Sequence, residues 1–328
     1  MTQPVLGIDI SKLTVDVSLL VEGRKQIHHQ FSNNPTGFKQ LSSWLDKQRV
    51  DKVHACMEAT GQYGDDLAEY LFQQNHVVSV VNPVKIKSYS CSKLRRNKTD
   101  KADAELIAIY CSREEPLPWF PPSACFKDMQ ALVRRLDNLQ KSLQQEVNRR
   151  KSGLQTSSVL NSISRHIEFL ENEIDILKQE IQDHINKNPE LKTRQALLVS
   201  IPGIGMLTAA KILGEIRDVC EFDSARQLAA YAGATPYNSV SGTSVNKKTR
   251  LSKMGNSNLR AALYMPSISA RHHNPIVRSF CDRLALSGLA PMQIVCAAMH
   301  KLLHLIFGIL KSGKIFDPDF LVKHPITS

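Results

Sequence analysis

The chain has 328 residues, 42% of them hydrophobic, with 42 Lys and Arg against 31 Asp and Glu, a formal charge of +11 with neutral histidines. That length suits two domains, and that apolar content excludes global disorder. A balance this basic attracts polyanions over a long range.

The charge is also unevenly placed. No acid occurs from Tyr70 to Thr99, a stretch holding Lys93, Arg95, Arg96 and Lys98. None occurs from Ser224 to Cys281, which holds Lys247, Lys248, Arg250 and Lys253. Two acid-free basic stretches point to phosphate-backbone contacts, where each cation releases condensed counterions. The seven cysteines are scattered without a C-x-x-C pair. This argues against a zinc site or a disulfide framework and for a reducing cytoplasm. Met-Thr-Gln-Pro leads directly into a strand-like run, without a basic n-region and signal core. No apolar run is expected to span a membrane, because His300, Lys301 and His304 interrupt 294–310.

In chain order, the first part reads as α/β. Val5–Ile10 is a short apolar run containing Asp9. Thr14–Leu20 alternates Val15, Val17 and Leu19 with polar residues, as a half-buried strand does. A third strand is expected over Gln26–Ser32 and a helix over Gly37–Lys47. Val53–Met57 is a fourth strand, followed at once by Glu58. Tyr63–Gln73 reads as a helix and Val77–Val81 as a β-branched buried strand. Three adjacent strands followed by alternating helices and strands describe an RNase H-like mixed sheet with helical cover, assigned to 1–125.

The middle part, 126–190, is helical. Leu160, Ile163, Ile167, Leu170, Ile174, Leu177 and Ile181 follow a 3-4 spacing, an a/d seam that favours a coiled coil over a helix packed on its own domain. Met129–Val147 supplies a preceding helix. The third part, 191–328, is mainly helical. Its Ser200-Ile-Pro-Gly-Ile-Gly205 has the pattern of a helix-hairpin-helix, in which Gly203 and Gly205 would let backbone amides meet phosphate. A turn joining two packed helices has the same composition. Tyr237–Lys248 reads as a polar Gly/Ser-rich loop.

Four acids occupy positions suited to one chemistry. Asp9 lies near the end of the first strand and Glu58 follows the fourth. Asp100 and Asp103 are three apart, so a helix would place both on one face. Phosphoryl transfer uses hard cations held by oxygen ligands, and four carboxylates around paired Mg²⁺ meet that need. Singly, each acid could be a turn, cap or surface residue; their joint order on this succession of elements favours a metal site.

Gly-Ile-Asp-Ile-Ser-Lys (7–12), Met-Glu-Ala-Thr-Gly (57–61), Val-Asn-Pro (81–83) and Arg-Asn-Lys-Thr-Asp-Lys-Ala-Asp-Ala (96–104) resemble the DEDD insertion-sequence transposases related to Piv DNA invertases. So do Ser-Ile-Pro-Gly-Ile-Gly (200–205), Tyr-Ala-Gly-Ala-Thr-Pro (231–236), Ser-Gly-Thr-Ser (241–244) and Arg-Leu-Ser-Lys-Met-Gly-Asn (250–256). The resemblance implies a RuvC-like catalytic domain whose four acids match Asp9, Glu58, Asp100 and Asp103. It implies a nucleophilic serine that matches Ser241, with Ser239 and Ser244 as neighbours one register away. It also implies donor and target DNA as partners, a structured bridge RNA that pairs with both, and a homo-oligomer, dimer or tetramer. Set against this recombinase are a junction-cutting nuclease, which uses the acids but not Ser241, and a non-catalytic nucleic-acid scaffold.

Overall fold

A computed structural model describes residues 3–59, 62–92, 99–153, 156–216, 218–241 and 245–319. The chain divides into two compact units between Pro121 and Pro122.

The first unit runs β1 (Val5–Ile10), β2 (Thr14–Leu20), β3 (Ile27–Ser32), α1 (Pro35–Lys47), β4 (His54–Glu58), α2 (Asp65–Gln73), β5 (Val77–Val81), α3 (Pro83–Ser92) and α4 (Asp100–Glu114). The sheet order is β3-β2-β1-β4-β5. β1, β2 and β3 pair antiparallel in succession, and β4 and β5 run parallel to β1. This is the mixed sheet expected from the sequence. Its period-2 pattern sorts two cores. Leu6, Ile8 and Ile10, with Val15, Val17 and Leu19, pack with residues of α1 and α2. Val5, Cys56 and Val81 pack with Leu106, Ile107 and Tyr110 of α4. Helix α1 starts where Asn34 Oδ1 accepts from the Gly37 amide and Pro35 presets the first helical residue.

One expectation changes here. Strand β2 is covered on both faces, and Asp16 and Ser18 on its polar side are buried. The alternation in sequence was real, but α4 lies over the polar side as well.

The second unit runs α5 (Ala124–Lys151), α6 (Ser157–Lys187), α7 (Pro189–Val199), α8 (Met206–Glu215), α9 (Ala225–Tyr231), β6 (Pro236–Ser241), β7 (Val245–Leu251), α10 (Ser257–His273), α11 (Pro275–Leu286) and α12 (Pro291–Ser312). The α6 seam residues from Ile163 to Ile181 are buried within this single chain, and Leu170, Ile174, Leu177 and Ile181 share one core with Met129, Val133, Leu136 and Leu139 of α5. The seam therefore has an intramolecular partner, and that core continues through α7, α8 and α12. Ile167→Asp with Ile174→Asp is expected to unfold this unit rather than only to separate subunits. Burying carboxylates there costs roughly several kcal/mol each, comparable with a domain's whole stability. A circular-dichroism melt beside a light-scattering mass checks this; a folded protein of reduced mass would place the seam between chains instead.

Two further expectations are corrected. Within the polar stretch 237–248, the described residues on either side of 242–244 pair as two antiparallel strands, β6 and β7, with an irregularity between Tyr237 and Ser239. Helix α12 is, by length and composition, apolar enough to cross a membrane despite His300, Lys301 and His304. Those three are outweighed in the average by the aliphatic residues around them. Its Ile294, Ala298, Leu302, Leu303 and Ile306 are buried in the core of the second unit.

Candidate active site

In the parallel pair β1–β4, Ile8 lies opposite Met57. The next residue on each strand is an acid, so Asp9 and Glu58 emerge side by side at the carboxyl ends of neighbouring strands. Both are half-buried.

Helix α4 brings the other two acids. Gly7 shares a sheet face with Asp9, two residues on. A Cβ on Gly7 would stand 2.2 Å from the Ala104 carbonyl oxygen and 2.3 Å from the Ala108 amide nitrogen. The missing side chain thus lets α4 lie directly on β1. The helix begins at Thr99, whose Oγ1 accepts from the Ala102 amide at 3.2 Å. Its first turn carries Asp100 and Asp103, where the helix dipole also favours negative charge.

Electrostatics report the convergence. Asp9 is pushed up to about 6, first by burial, then by the charges of Asp103, Asp100 and Asp16. Like charges in a partly dry site hold a proton that an isolated Asp would lose. An all-carboxylate donor set suits a hard divalent cation, and this repulsion is what such a cation would relieve. Among the described residues, no three acid, histidine or cysteine side chains close tightly enough to form a finished metal cage.

Asp16 escaped the sequence reading. It lies directly opposite Asp9 in the β1–β2 register. Gln30 Nε2 donates to its Oδ2 at 2.8 Å, and His28 Nε2 lies 2.8 Å from its Oδ1. Two β3 side chains therefore hold a buried carboxylate beside Asp9. In sequence it looked like one more solvent-facing polar residue of an alternating strand.

In the second unit, Ser241 is the last residue of β6, paired with Val245, while Ser239 pairs with Lys247. The base of this hairpin is tied down by its backbone. The Ser252 amide donates to the Thr235 carbonyl at 2.9 Å and the Lys253 amide to the Gly233 carbonyl at 3.0 Å. Gly255 has φ +148°, and a Cβ there would meet the Tyr231 carbonyl oxygen at 2.3 Å and the Gly233 nitrogen at 2.6 Å. This is why glycines recur in Tyr-Ala-Gly-Ala and Lys-Met-Gly-Asn. Below them, buried Glu215 accepts from Arg134 Nε at 2.9 Å and Nη2 at 3.1 Å, and from Asn256 Nδ2 at 2.7 Å. Glu215 was another residue the sequence left unmarked, since its partners lie 41 and 81 positions away.

Known proteins carry the same arrangement of segments. Residues 6–158 match the DEDD transposase family of IS110, and residues 195–282 match the transposase IS116/IS110/IS902 family. The pilin gene-inverting protein of Moraxella bovis is 34% identical over 321 residues, covering 97% of this chain and 98% of its own length. The chain belongs to the IS110 transposase family. The transposase for insertion sequence element IS1111A of Coxiella burnetii is 27% identical to this family member, across 79% of the chain and 75% of its own length. Among solved structures, RuvC of Thermus thermophilus aligns over all of its length with 36% of the chain, at 16% identity and a TM-score of 0.28.

The remaining expected contacts of this IS110-family chain are distributed unevenly. Lys93, Arg95, Arg96, Lys98 and Ser244 lie outside the described residues, as do the side chains of Ser241, Lys247 and Lys248. Arg250 and Lys253 are exposed on β7 and the turn after it. The two glycines between α7 and α8 differ from each other. Gly203 has φ +106°, and a Cβ on it would meet Ala270 of α10 at 2.7 Å, so packing already requires a glycine there. Gly205 precedes α8 with nothing within 4 Å of its Cβ position. Gly203→Ala is expected to lower stability by about 1–3 kcal/mol through backbone strain and overlap. Gly205→Ala should leave the melting temperature near wild type. Thermal melts of the two variants test this, and equal losses would remove the distinction.

Proposed function

We propose that this chain is a DNA recombinase of a mobile element, cutting strands and rejoining them to new partners. The convergence of Asp9 with Asp100 and Asp103 at the end of β1, beside Glu58, supports this reading most strongly. Asp9, Glu58, Asp100 and Asp103 would hold Mg²⁺, two ions in the full site, which would stabilise charge developing on the scissile phosphate. Ser241 would be the nucleophile. Its Oγ forms a bond to phosphorus, one P–O bond to a sugar breaks, the serine proton is released, and the leaving sugar oxygen gains a proton. The phosphodiester is conserved as a protein–DNA ester, so a second sugar hydroxyl can reverse the step on a new strand. Water as nucleophile would leave a nick that only a ligase could close.

The partners in this reading are donor and target DNA, with a structured non-coding RNA pairing to both. The relatives named above, a gene-inverting protein and an insertion-element transposase, are of the kind that rearrange DNA. The exposed Arg250 and Lys253 and the acid-free stretch around them would hold the backbone, and Gly205 would present the amides at the start of α8 to a phosphate, in the manner of a helix-hairpin-helix. Two units, one with the acids and one with the serine, would act together within a homo-oligomer. The test mixes purified protein with Mg²⁺, the RNA flanking its gene and paired DNA sites. Joined products support the reading; nicks without joining would favour a junction-cutting nuclease.

A further inference from the structure

The acids occupy one face of the first unit's sheet. The opposite face carries a feature that the proposed reaction leaves unused. Between edge strand β3 and helix α1 lies a groove of about 420 Å³, within the size range of small-ligand sites.

Its construction follows from two periodicities. His29 and Phe31 are two apart on β3, so both turn toward α1. Phe31 is buried, and the exposed His29 ring stacks on it with centroids 4.5 Å apart and planes 19° from parallel. Trp44 closes the floor, 5.8 Å from His29 and edge-on to Phe31 at 5.9 Å. On α1, Lys39, Ser43 and Lys47 recur every four residues on one face and line the groove with Gln40. Gln30, between His29 and Phe31, turns its side chain to Asp16 on the other face and borders the groove only through its place on the strand. Among the described residues, no carboxylate lines this groove. Asp46, on the same helix, acts on His76 instead. The outer edge of β3 has no strand partner among the described residues.

An aromatic floor with one amide and two flanking cations is the chemistry of base stacking and phosphate neutralisation. We propose that this groove takes an unpaired nucleotide of a single-stranded nucleic acid, its base against His29 and Trp44 and its flanking phosphates on Lys39 and Lys47. The inference rests on the nucleic-acid reading above and adds a site on the face away from the acids.

The chain has two tryptophans, so full-length Trp119→Phe leaves Trp44 as the sole reporter. Titration with a short single-stranded oligoadenylate should quench Trp44 saturably, whereas a duplex of equal length should not. His29→Ala should weaken this binding by about 5- to 100-fold. Lys39→Ala with Lys47→Ala should reduce the slope of log affinity against log salt by about 1.4. Absence of quenching, equal quenching by duplex, equal quenching by an oligoglutamate peptide, or unchanged affinity in both variants would overturn the site. DNA joining measured on the same preparations separates the two readings. Joining without a Trp44 signal overturns the groove alone, and a Trp44 signal without joining overturns the recombinase alone.

Discussion

Asp9→Asn is expected to remove strand joining and, in the absence of divalent metal, to make the protein more stable. The two effects share one cause. Asp9 titrates at about 6 in the folded chain against 3.8 ordinarily. The folded state therefore binds a proton more tightly than the unfolded state, and stability falls as pH rises from about 4 to 6. Above that window, at pH 7.5, the cost of burying the charge and the repulsion from Asp103, Asp100 and Asp16 both act in full, and an uncharged Asn relieves them. Screened by the partial exposure of the site, the gain is about 1 kcal/mol, or roughly 2–4 °C in melting temperature. Below about pH 4, where Asp9 is protonated in both states, the gain should vanish. Added Mg²⁺ should raise the wild-type melting temperature and leave Asp9→Asn nearly unmoved, because only a state that binds the ion is stabilised by it. Joining should drop by roughly 10²–10³-fold. Melts in EDTA and in Mg²⁺ at two pH values, beside the joining assay, check all of this. Lower stability of Asp9→Asn in EDTA at pH 7.5 would mean that neither burial nor the neighbouring acids disfavour the Asp9 carboxylate.

Ser241→Ala should abolish joined product and covalent protein–DNA adduct together, while DNA binding and the Mg²⁺-dependent rise in melting temperature persist. Alanine removes only the hydroxyl at the end of β6, and the hairpin base at Thr235–Ser252 and Gly233–Lys253 does not depend on it. Hairpin geometry and nucleophile are thereby separable. Denaturing electrophoresis of labelled DNA after a stalled reaction, followed by peptide mapping, locates any phosphoserine. An adduct at Ser239 or Ser244 would move the nucleophile to that serine. Efficient joining by Ser241→Ala with no adduct at any serine would leave direct transesterification between DNA strands as the mechanism.

Much of this was legible in the sequence because short-range patterns carry it. Alternation in Thr14–Leu20 and the β-branched run Val77–Val81 fix strands through local sterics and side-chain period. The seam from Ile163 to Ile181 fixes which face of α6 is apolar. The spacing of Asp100 and Asp103 alone sets both acids on one side of a helix. The family words at 7–12, 57–61 and 96–104 contain the four acids of the proposed site.

What the sequence could not supply was partnership. A seam states that a face will be buried, but α5 of the same chain, rather than a second copy, buries it. The hairpin β6–β7 is polar in composition and owes its form to backbone bonds at 233–235 and 252–253, so periodicity gave no sign of it. Gly203 had the right residue for a phosphate-facing turn, yet Ala270, 67 residues later in numbering, is what requires it. Asp16 and Glu215 are ordinary acids in one dimension. They become buried centres of hydrogen bonding because β3 and α4, or α5 and α10, arrive from elsewhere in the chain. Local sterics and periodicity therefore determined most of the elements and the apolar faces that would be covered. Only the packing of distant segments decided what covers each face, and with it which carboxylates lose their water and feel one another's charge.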